Sequence, residues 1–117
     1  MKVIFLGAGA WGTAMAMHAS KNPKNFDVTL WSRSSSLADQ MTKTHRNEKY
    51  LPSIDLPQQL KISGDWEAIF THVDEQDLLV IATPVSGLKE TVHALLKLNK
   101  VPKNWVWLCK GLEPGTS

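Results

Sequence analysis

Three glycines near the amino terminus have a spacing that suits phosphate binding. Gly7, Gly9 and Gly12 directly follow a short apolar run and precede a helical pattern. In such a GxGxxG pattern the first glycine permits a tight turn, the second lets the backbone approach a pyrophosphate, and the third lets the helix pack closely on the strand. The N–H groups at the helix start, including that of Ala10, would face the phosphates. The pattern predicts a dinucleotide-binding turn, in which Trp11 either packs against the protein or forms a wall beside the cofactor.

The end of the predicted second strand bears on which nucleotide fits. An acidic residue usually lies there and binds the ribose 2′-hydroxyl, but this chain has Ser32, then Arg33 and the serines at 34–36. No carboxylate is therefore expected to repel a 2′-phosphate. Arg33 can pair with that phosphate bidentately, and the serines can donate hydrogen bonds to it. We predict that NADPH binds at least as well as NADH; the alternative is that Arg33 is an ordinary solvated arginine.

Two further residues follow predicted strands at the edge where ligands of parallel sheets bind. Pro84 comes after the most hydrophobic run, where it either borders the nicotinamide side of a cofactor or merely ends the strand. Lys110 follows the last apolar run and is either a solvated charge or a cation that binds an anion or polarises a carbonyl. The four histidines lack the spacing of metal ligands, so we expect no metal site.

Short apolar runs alternate with longer helical patterns along the chain. Residues 45–57 are predicted to be a loop, punctuated by Pro52 and Pro57. Alternation of strands and helices is typical of parallel sheets covered by helices on both faces, so the predicted fold class is α/β, a doubly wound parallel sheet of the Rossmann type. Strands are predicted at 3–6, 27–31, 60–63, 78–83 and 105–109, and helices at 11–22, 34–43, 65–72 and 86–98. In the last helix, capped by Ser86, a shared face is predicted for Leu88, Val92, Leu95 and Leu96.

Composition excludes several classes of protein. The chain has 117 residues, of which 13 are basic and 11 acidic, and the net charge of +2 is too weak for a nucleic-acid or membrane footprint. Cys109 is the only cysteine, so no internal disulfide can form; a buried structural thiol in a reducing compartment is expected. Glycines interrupt the amino-terminal apolar run, which argues against a signal peptide. We expect a cytoplasmic protein of one domain with no membrane span.

Four motifs in order carry a more specific resemblance. They are GAGAWGTA at 7–14, LWSR at 30–33, Asn47 with YLP at 50–52, and KGLE at 110–113. With these the chain closely resembles the amino-terminal domain of the NAD(P)-dependent glycerol-3-phosphate dehydrogenase family. The resemblance implies reduction of dihydroxyacetone phosphate to sn-glycerol 3-phosphate for phospholipid synthesis, with NADP or NAD as cofactor. It also implies that Trp11, Arg33 and Tyr50 contact the nucleotide and that Lys110 meets both cofactor and substrate. The family often has serine where this chain has Ala10, which leaves the backbone donors in place.

The resemblance also implies a longer enzyme. Residues 1–117 would be the NAD(P)-binding domain of a two-domain enzyme whose general-base lysine lies in a helical second domain. We therefore expect no catalytic residue in this chain, nucleotide binding without turnover, and a possible homodimer at full length. One alternative is another Rossmann reductase of the ketopantoate or 6-phosphogluconate type. The other is a non-catalytic nucleotide-binding module that is complete at this length.

Overall fold

The structure is a computed structural model that describes residues 1–22, 24, 26–83, 85–98 and 100–108. Within these residues it contains seven strands and four helices. The strands are Lys2–Leu6 (β1), Asp27–Trp31 (β2), Arg46–Asn47 (β3), Leu51–Asp55 (β4), Lys61–Ser63 (β5), Leu78–Ile81 (β6) and Asn104–Trp107 (β7). The helices are Ala10–Ser20 (α1), Ser35–Thr44 (α2), Trp66–Ile69 (α3) and Val85–Leu96 (α4). None of these helices is long and apolar enough to cross a membrane.

Five of the described strands form one parallel sheet in the order β5-β2-β1-β6-β7. The central strand β1 pairs with β2 on one side and with β6 on the other, so that Leu6 lies opposite both Trp31 and Ile81. The carboxyl ends of these three strands therefore meet at one edge of the sheet. In open parallel sheets that edge, at the point where the strand order reverses, is where ligands bind.

The two faces of β1 are buried against different helices, because successive side chains of a strand point to opposite faces. Val3 and Phe5 belong to a hydrophobic cluster that includes Ala16 of α1 and Met41 of α2. Ile4 and Leu6 belong to a second cluster that includes Leu95 of α4. Full burial of an aliphatic side chain contributes about 1.5–3 kcal/mol, so both faces help to hold β1 at the centre. The predicted doubly wound parallel sheet is confirmed.

The predicted loop at 45–57 is wrong in part. Its residues include the antiparallel pair β3–β4, which begins after His45 and has an irregular register between Arg46 and Asn47. Four of the five β4 residues are exposed, so neither face has the alternation that predicts a strand. Pro52 is tolerated because β4 pairs with β3 alone among the described strands.

Three element boundaries also differ from the prediction. The helix expected at 65–72 is short: Asp65 caps α3, but Phe70 and Thr71 donate to carbonyls three residues earlier, which tightens the chain and lets Phe70 be buried.

Helix α4 begins at Val85, so Ser86 lies in its first turn rather than at its cap. Leu95 of α4 is buried, but Leu96 is 72% exposed and does not share the buried face. Strand β6 ends at Ile81, and the predicted burial of Cys109 falls outside the described residues.

Candidate functional site

The turn between β1 and α1 requires glycine at its first position. Gly7 has a φ of 115°, a conformation that side-chain-bearing residues rarely adopt. A Cβ at this position would also lie 2.9 Å from the carbonyl carbon and oxygen of Ala82. The Gly7 N–H donates to the Trp31 carbonyl oxygen at 3.0 Å, so the turn is fixed to the ends of β2 and β6 at once. The predicted tight turn is confirmed.

The third glycine lets α1 approach the sheet. A Cβ on Gly12 would overlap the carbonyl oxygen of Gly7 and would lie 3.0 Å from the Ala82 Cβ. Any larger residue would therefore push the first turn of α1 away from β1. The predicted role of Gly12 in close helix–strand packing is confirmed.

The second glycine is not explained by the protein itself. Gly9 has ordinary extended backbone angles, φ −71° and ψ −176°, and a Cβ there would meet no atom of the described residues within 4 Å. Neither backbone strain nor packing requires a glycine, so what Gly9 keeps free is the space outside the turn. A pyrophosphate against the backbone would need that space, and the residues present therefore fit a dinucleotide.

The amino terminus of α1 differs from those of α2 and α3. Ser34 accepts a hydrogen bond from the Leu37 N–H at the start of α2, and Asp65 accepts from the Ala68 N–H at the start of α3. Helix α1 has no side-chain cap and no acidic residue in its first turn. Its first N–H groups, beginning with Ala10, therefore have no side-chain acceptor among the described residues and offer partial positive charge to an anion.

Trp11 lies beside this helix start. It is 50% exposed although it is large and apolar, which argues against the packing alternative. Tyr50, in the turn between β3 and β4, is also 41% exposed. Exposed aromatic faces of this kind can stack on a nucleotide, so both residues suit the contacts that the resemblance implied.

Asn47 connects the β3–β4 hairpin to the glycine turn. Its fully buried side-chain amide donates to the Ala8 carbonyl oxygen at 2.8 Å and to the Thr13 hydroxyl at 2.9 Å. Its carbonyl oxygen accepts from the Tyr50 N–H at 3.2 Å. One side chain therefore positions the turn, the start of α1 and the segment that carries Tyr50. Sequence reasoning noted Asn47 only as part of a motif, since these contacts join residues far apart in the chain.

Arg33 follows β2 at the same edge of the sheet and points toward α4. Its Nη2 donates to Glu90 Oε2 at 2.8 Å, and both side chains are 71% exposed. The expectation that no carboxylate would lie near a 2′-phosphate on Arg33 is therefore wrong. Glu90 supplies one from a position 57 residues later in the chain, which no local motif could reveal.

The serines beside Arg33 are less available than expected. Ser32 is buried and its hydroxyl donates to the Ser34 carbonyl oxygen at 2.9 Å. The Ser34 hydroxyl accepts from Leu37 and lies 3.0 Å from the hydroxyl of Ser36. These hydroxyls shape the loop and cap α2.

Two predicted site residues, Pro84 and Lys110, lie outside the described residues. Strand β6 ends at Ile81, at the ligand edge of the sheet. Leu108, after β7, donates to the Ile81 carbonyl oxygen at 2.8 Å at the same edge. Among the described residues, no cluster of His, Cys, Asp and Glu could hold a metal ion.

Comparison with known proteins identifies relatives of this chain. The family described as NAD-dependent glycerol-3-phosphate dehydrogenase N-terminus matches residues 2–117. An NAD(P)+ glycerol-3-phosphate dehydrogenase of Polynucleobacter asymbioticus is 51% identical over 117 residues, which are all of this chain and 34% of that protein. One of Cupriavidus taiwanensis is 42% identical over 118 aligned residues, which cover 99% of this chain and 34% of that protein.

A solved structure is also similar. Glycerol-3-phosphate dehydrogenase from Coxiella burnetii superimposes with a TM-score of 0.76 at 32% identity. The match covers 94% of this chain and 34% of the Coxiella chain. The chain thus spans about a third of the length of the relatives that it matches.

Proposed function

The chain belongs to the NAD-dependent glycerol-3-phosphate dehydrogenase amino-terminal family, and we propose on that basis that it is the NAD(P)H-binding domain of such an enzyme. The complete enzyme would reversibly reduce dihydroxyacetone phosphate to sn-glycerol 3-phosphate, a precursor for phospholipid synthesis. The relatives named for this reaction are about three times longer than the chain. We therefore assign nucleotide binding to this domain and turnover to the whole enzyme.

The observation that carries the proposal is the free space at Gly9 beside an uncapped helix. Gly7 and Gly12 are required by the turn and its packing, but a Cβ on Gly9 would meet no atom of the described residues within 4 Å. In the part of the chain that the structure describes, the first N–H groups of α1 have no side-chain acceptor. A pyrophosphate placed there would accept hydrogen bonds from the backbone and interact favourably with the helix dipole.

Other residues of the site have distinct proposed roles. Trp11 and Tyr50 would contact the nucleotide with their exposed rings, and Arg33 would bind the ribose 2′-phosphate of NADPH. Pro84 would border the nicotinamide side. Lys110 would meet both cofactor and substrate, where its ammonium group neutralises phosphate or developing oxyanion charge. The bound nicotinamide supplies the hydride in this family's chemistry.

A general base is not among these residues. The family resemblance implies that the general base is a lysine of a helical second domain. That domain would also supply most of the residues that bind the substrate phosphate, and the full-length enzyme could form a homodimer. The proposed domain organisation is thus a nucleotide-binding unit at 1–117 followed by a catalytic unit. A cytoplasmic location agrees with the single cysteine of the chain.

A chimera tests the proposed reaction. Residues 1–117 would replace the matching segment of the Polynucleobacter asymbioticus relative, which is 51% identical over that span. NADPH oxidation would be measured with dihydroxyacetone phosphate and, for the alternative reductase, with ketopantoate. We expect oxidation with dihydroxyacetone phosphate alone, and none with the 117-residue chain by itself. A folded chimera that does not oxidise NADPH with dihydroxyacetone phosphate, while the Polynucleobacter asymbioticus enzyme does, would contradict the assignment.

A further inference from the structure

We propose that Glu90 of α4 sets the preference between NADH and NADPH by pairing with Arg33. This inference rests on the proposed nucleotide-binding function and deepens it. In this role Glu90 weakens the binding of a nucleotide that carries a 2′-phosphate relative to one that carries a free 2′-hydroxyl. Neither the family match nor the glycine motif assigns any role to this residue.

The geometry brings Arg33 and Glu90 together across the ligand edge. Arg33 follows β2 and Glu90 lies in the second turn of α4, yet Nη2 and Oε2 are 2.8 Å apart. Gly87, one turn earlier on the same face of α4, lies under the guanidinium: a Cβ there would be 3.7 Å from Arg33 Nη1. The Arg33 side chain thus lies along the surface of α4, within van der Waals distance of Gly87 and in contact with Glu90.

The Arg33–Glu90 ion pair supplies the carboxylate that is missing at the end of β2. In many dinucleotide-binding sheets an acidic residue at the end of this strand accepts from the ribose 2′-hydroxyl and repels a 2′-phosphate. Here that position holds Ser32, which is buried and donates within its own loop. Glu90 brings a carboxylate to the neighbouring guanidinium from α4 instead.

The two nucleotides would meet this pair differently. A 2′-phosphate can use Arg33 fully only by displacing Glu90, or it must lie beside the carboxylate and be repelled. A 2′-hydroxyl carries no charge and can donate to the carboxylate. The ion pair therefore reduces the difference in affinity by which Arg33 alone would favour NADPH over NADH. A site with such a small difference would accept either nucleotide.

The size of the effect follows from exposure. Both side chains are 71% exposed, so solvent screens their attraction strongly. Exposed ion pairs of this kind change an equilibrium by about two- to fivefold. Loss of the Glu90 charge should therefore change the ratio of the two nucleotide affinities by that amount, without an effect on folding.

Calorimetric titration of the 117-residue chain with NADPH and with NADH tests the proposal. In Glu90→Gln, which keeps the size and the hydrogen-bonding oxygen, we expect the Kd for NADPH to fall about two- to fivefold while that for NADH is unchanged or rises. Arg33→Ala should weaken NADPH more than NADH. The matched control is Glu75→Gln, which removes another exposed ion-paired carboxylate, 2.9 Å from Lys103 at the opposite edge of the sheet; it should change neither affinity.

The possible results separate two kinds of failure. If the chain binds both nucleotides but Glu90→Gln leaves the ratio of their Kd values unchanged, Glu90 does not set the preference and the inference is overturned. An equal loss of both affinities would show a merely structural role and would overturn it too. If the folded chain binds neither nucleotide, the proposed function itself fails and the inference fails with it.

Discussion

The side-chain amide of Asn47 donates a hydrogen bond to the carbonyl oxygen of Ala8 at 2.8 Å, across 39 residues of sequence. Ala8 lies inside the glycine turn, and the same amide nitrogen also donates to Thr13 in α1. The β3–β4 hairpin is thus bound to the glycine turn by a fully buried side chain. The shape of the turn therefore depends on a residue outside the glycine motif.

Substitution of Asn47 should destabilise the domain. Asn47→Ala leaves the Ala8 carbonyl oxygen and the Tyr50 N–H without their partner, at a cost of about 1–3 kcal/mol in the free energy of unfolding. Asn47→Asp should cost more, because it loses both N–H donors and places a carboxylate against a carbonyl oxygen. Chemical denaturation of the variants checks this order. Equal stability of Asn47→Asp and the natural chain would contradict the described network.

Gly12→Ala should destabilise the domain by crowding α1 against the sheet. Its Cβ would overlap the Gly7 carbonyl oxygen, and relief requires a shift of backbone. We expect a loss of about 1–3 kcal/mol, typical of overpacking. The control is Gly9→Ala, whose Cβ would meet no atom of the described residues within 4 Å and which should change stability by no more than about 0.5 kcal/mol. Thermal unfolding of the pair measures the contrast, and a similar loss in both variants would argue against the described packing.

Trp11 should report nucleotide binding by its fluorescence. It is 50% exposed at the start of α1, so a nucleotide on the helix terminus would cover its ring and alter its emission. Trp11→Phe should abolish most of the NADPH-dependent change while leaving the free energy of unfolding nearly unaltered. Trp66→Phe provides the control, since Trp66 lies in α3 and packs edge-on against Trp31 and Phe70. A signal that survives Trp11→Phe and disappears in Trp66→Phe would place the nucleotide elsewhere.

Local sequence patterns predict most of the sheet but little of the long-range polar structure. The apolar runs that become β1 and β6 are continuous because both faces of these central parallel strands are buried, and the glycine spacing locates the turn. The local sequence pattern does not predict the β3–β4 hairpin, because its residues are largely exposed. Contacts such as Arg46–Asp55 and Asn47–Ala8 stabilise it instead. Local sequence patterns do not predict the Arg33–Glu90 pair either, because it forms only when the fold brings β2 and α4 together.

Calorimetric titration of the chain with NADPH and NADH, repeated on Gly9→Val, tests nucleotide binding at the glycine turn. We expect that the natural chain binds nucleotide and that Gly9→Val, with an unchanged circular-dichroism spectrum and thermal midpoint, does not. That result would show that the open space at Gly9 serves the ligand rather than the fold. A folded natural chain that binds neither nucleotide at millimolar concentration, or a Gly9→Val variant that binds as well as the natural chain, would contradict the central claim.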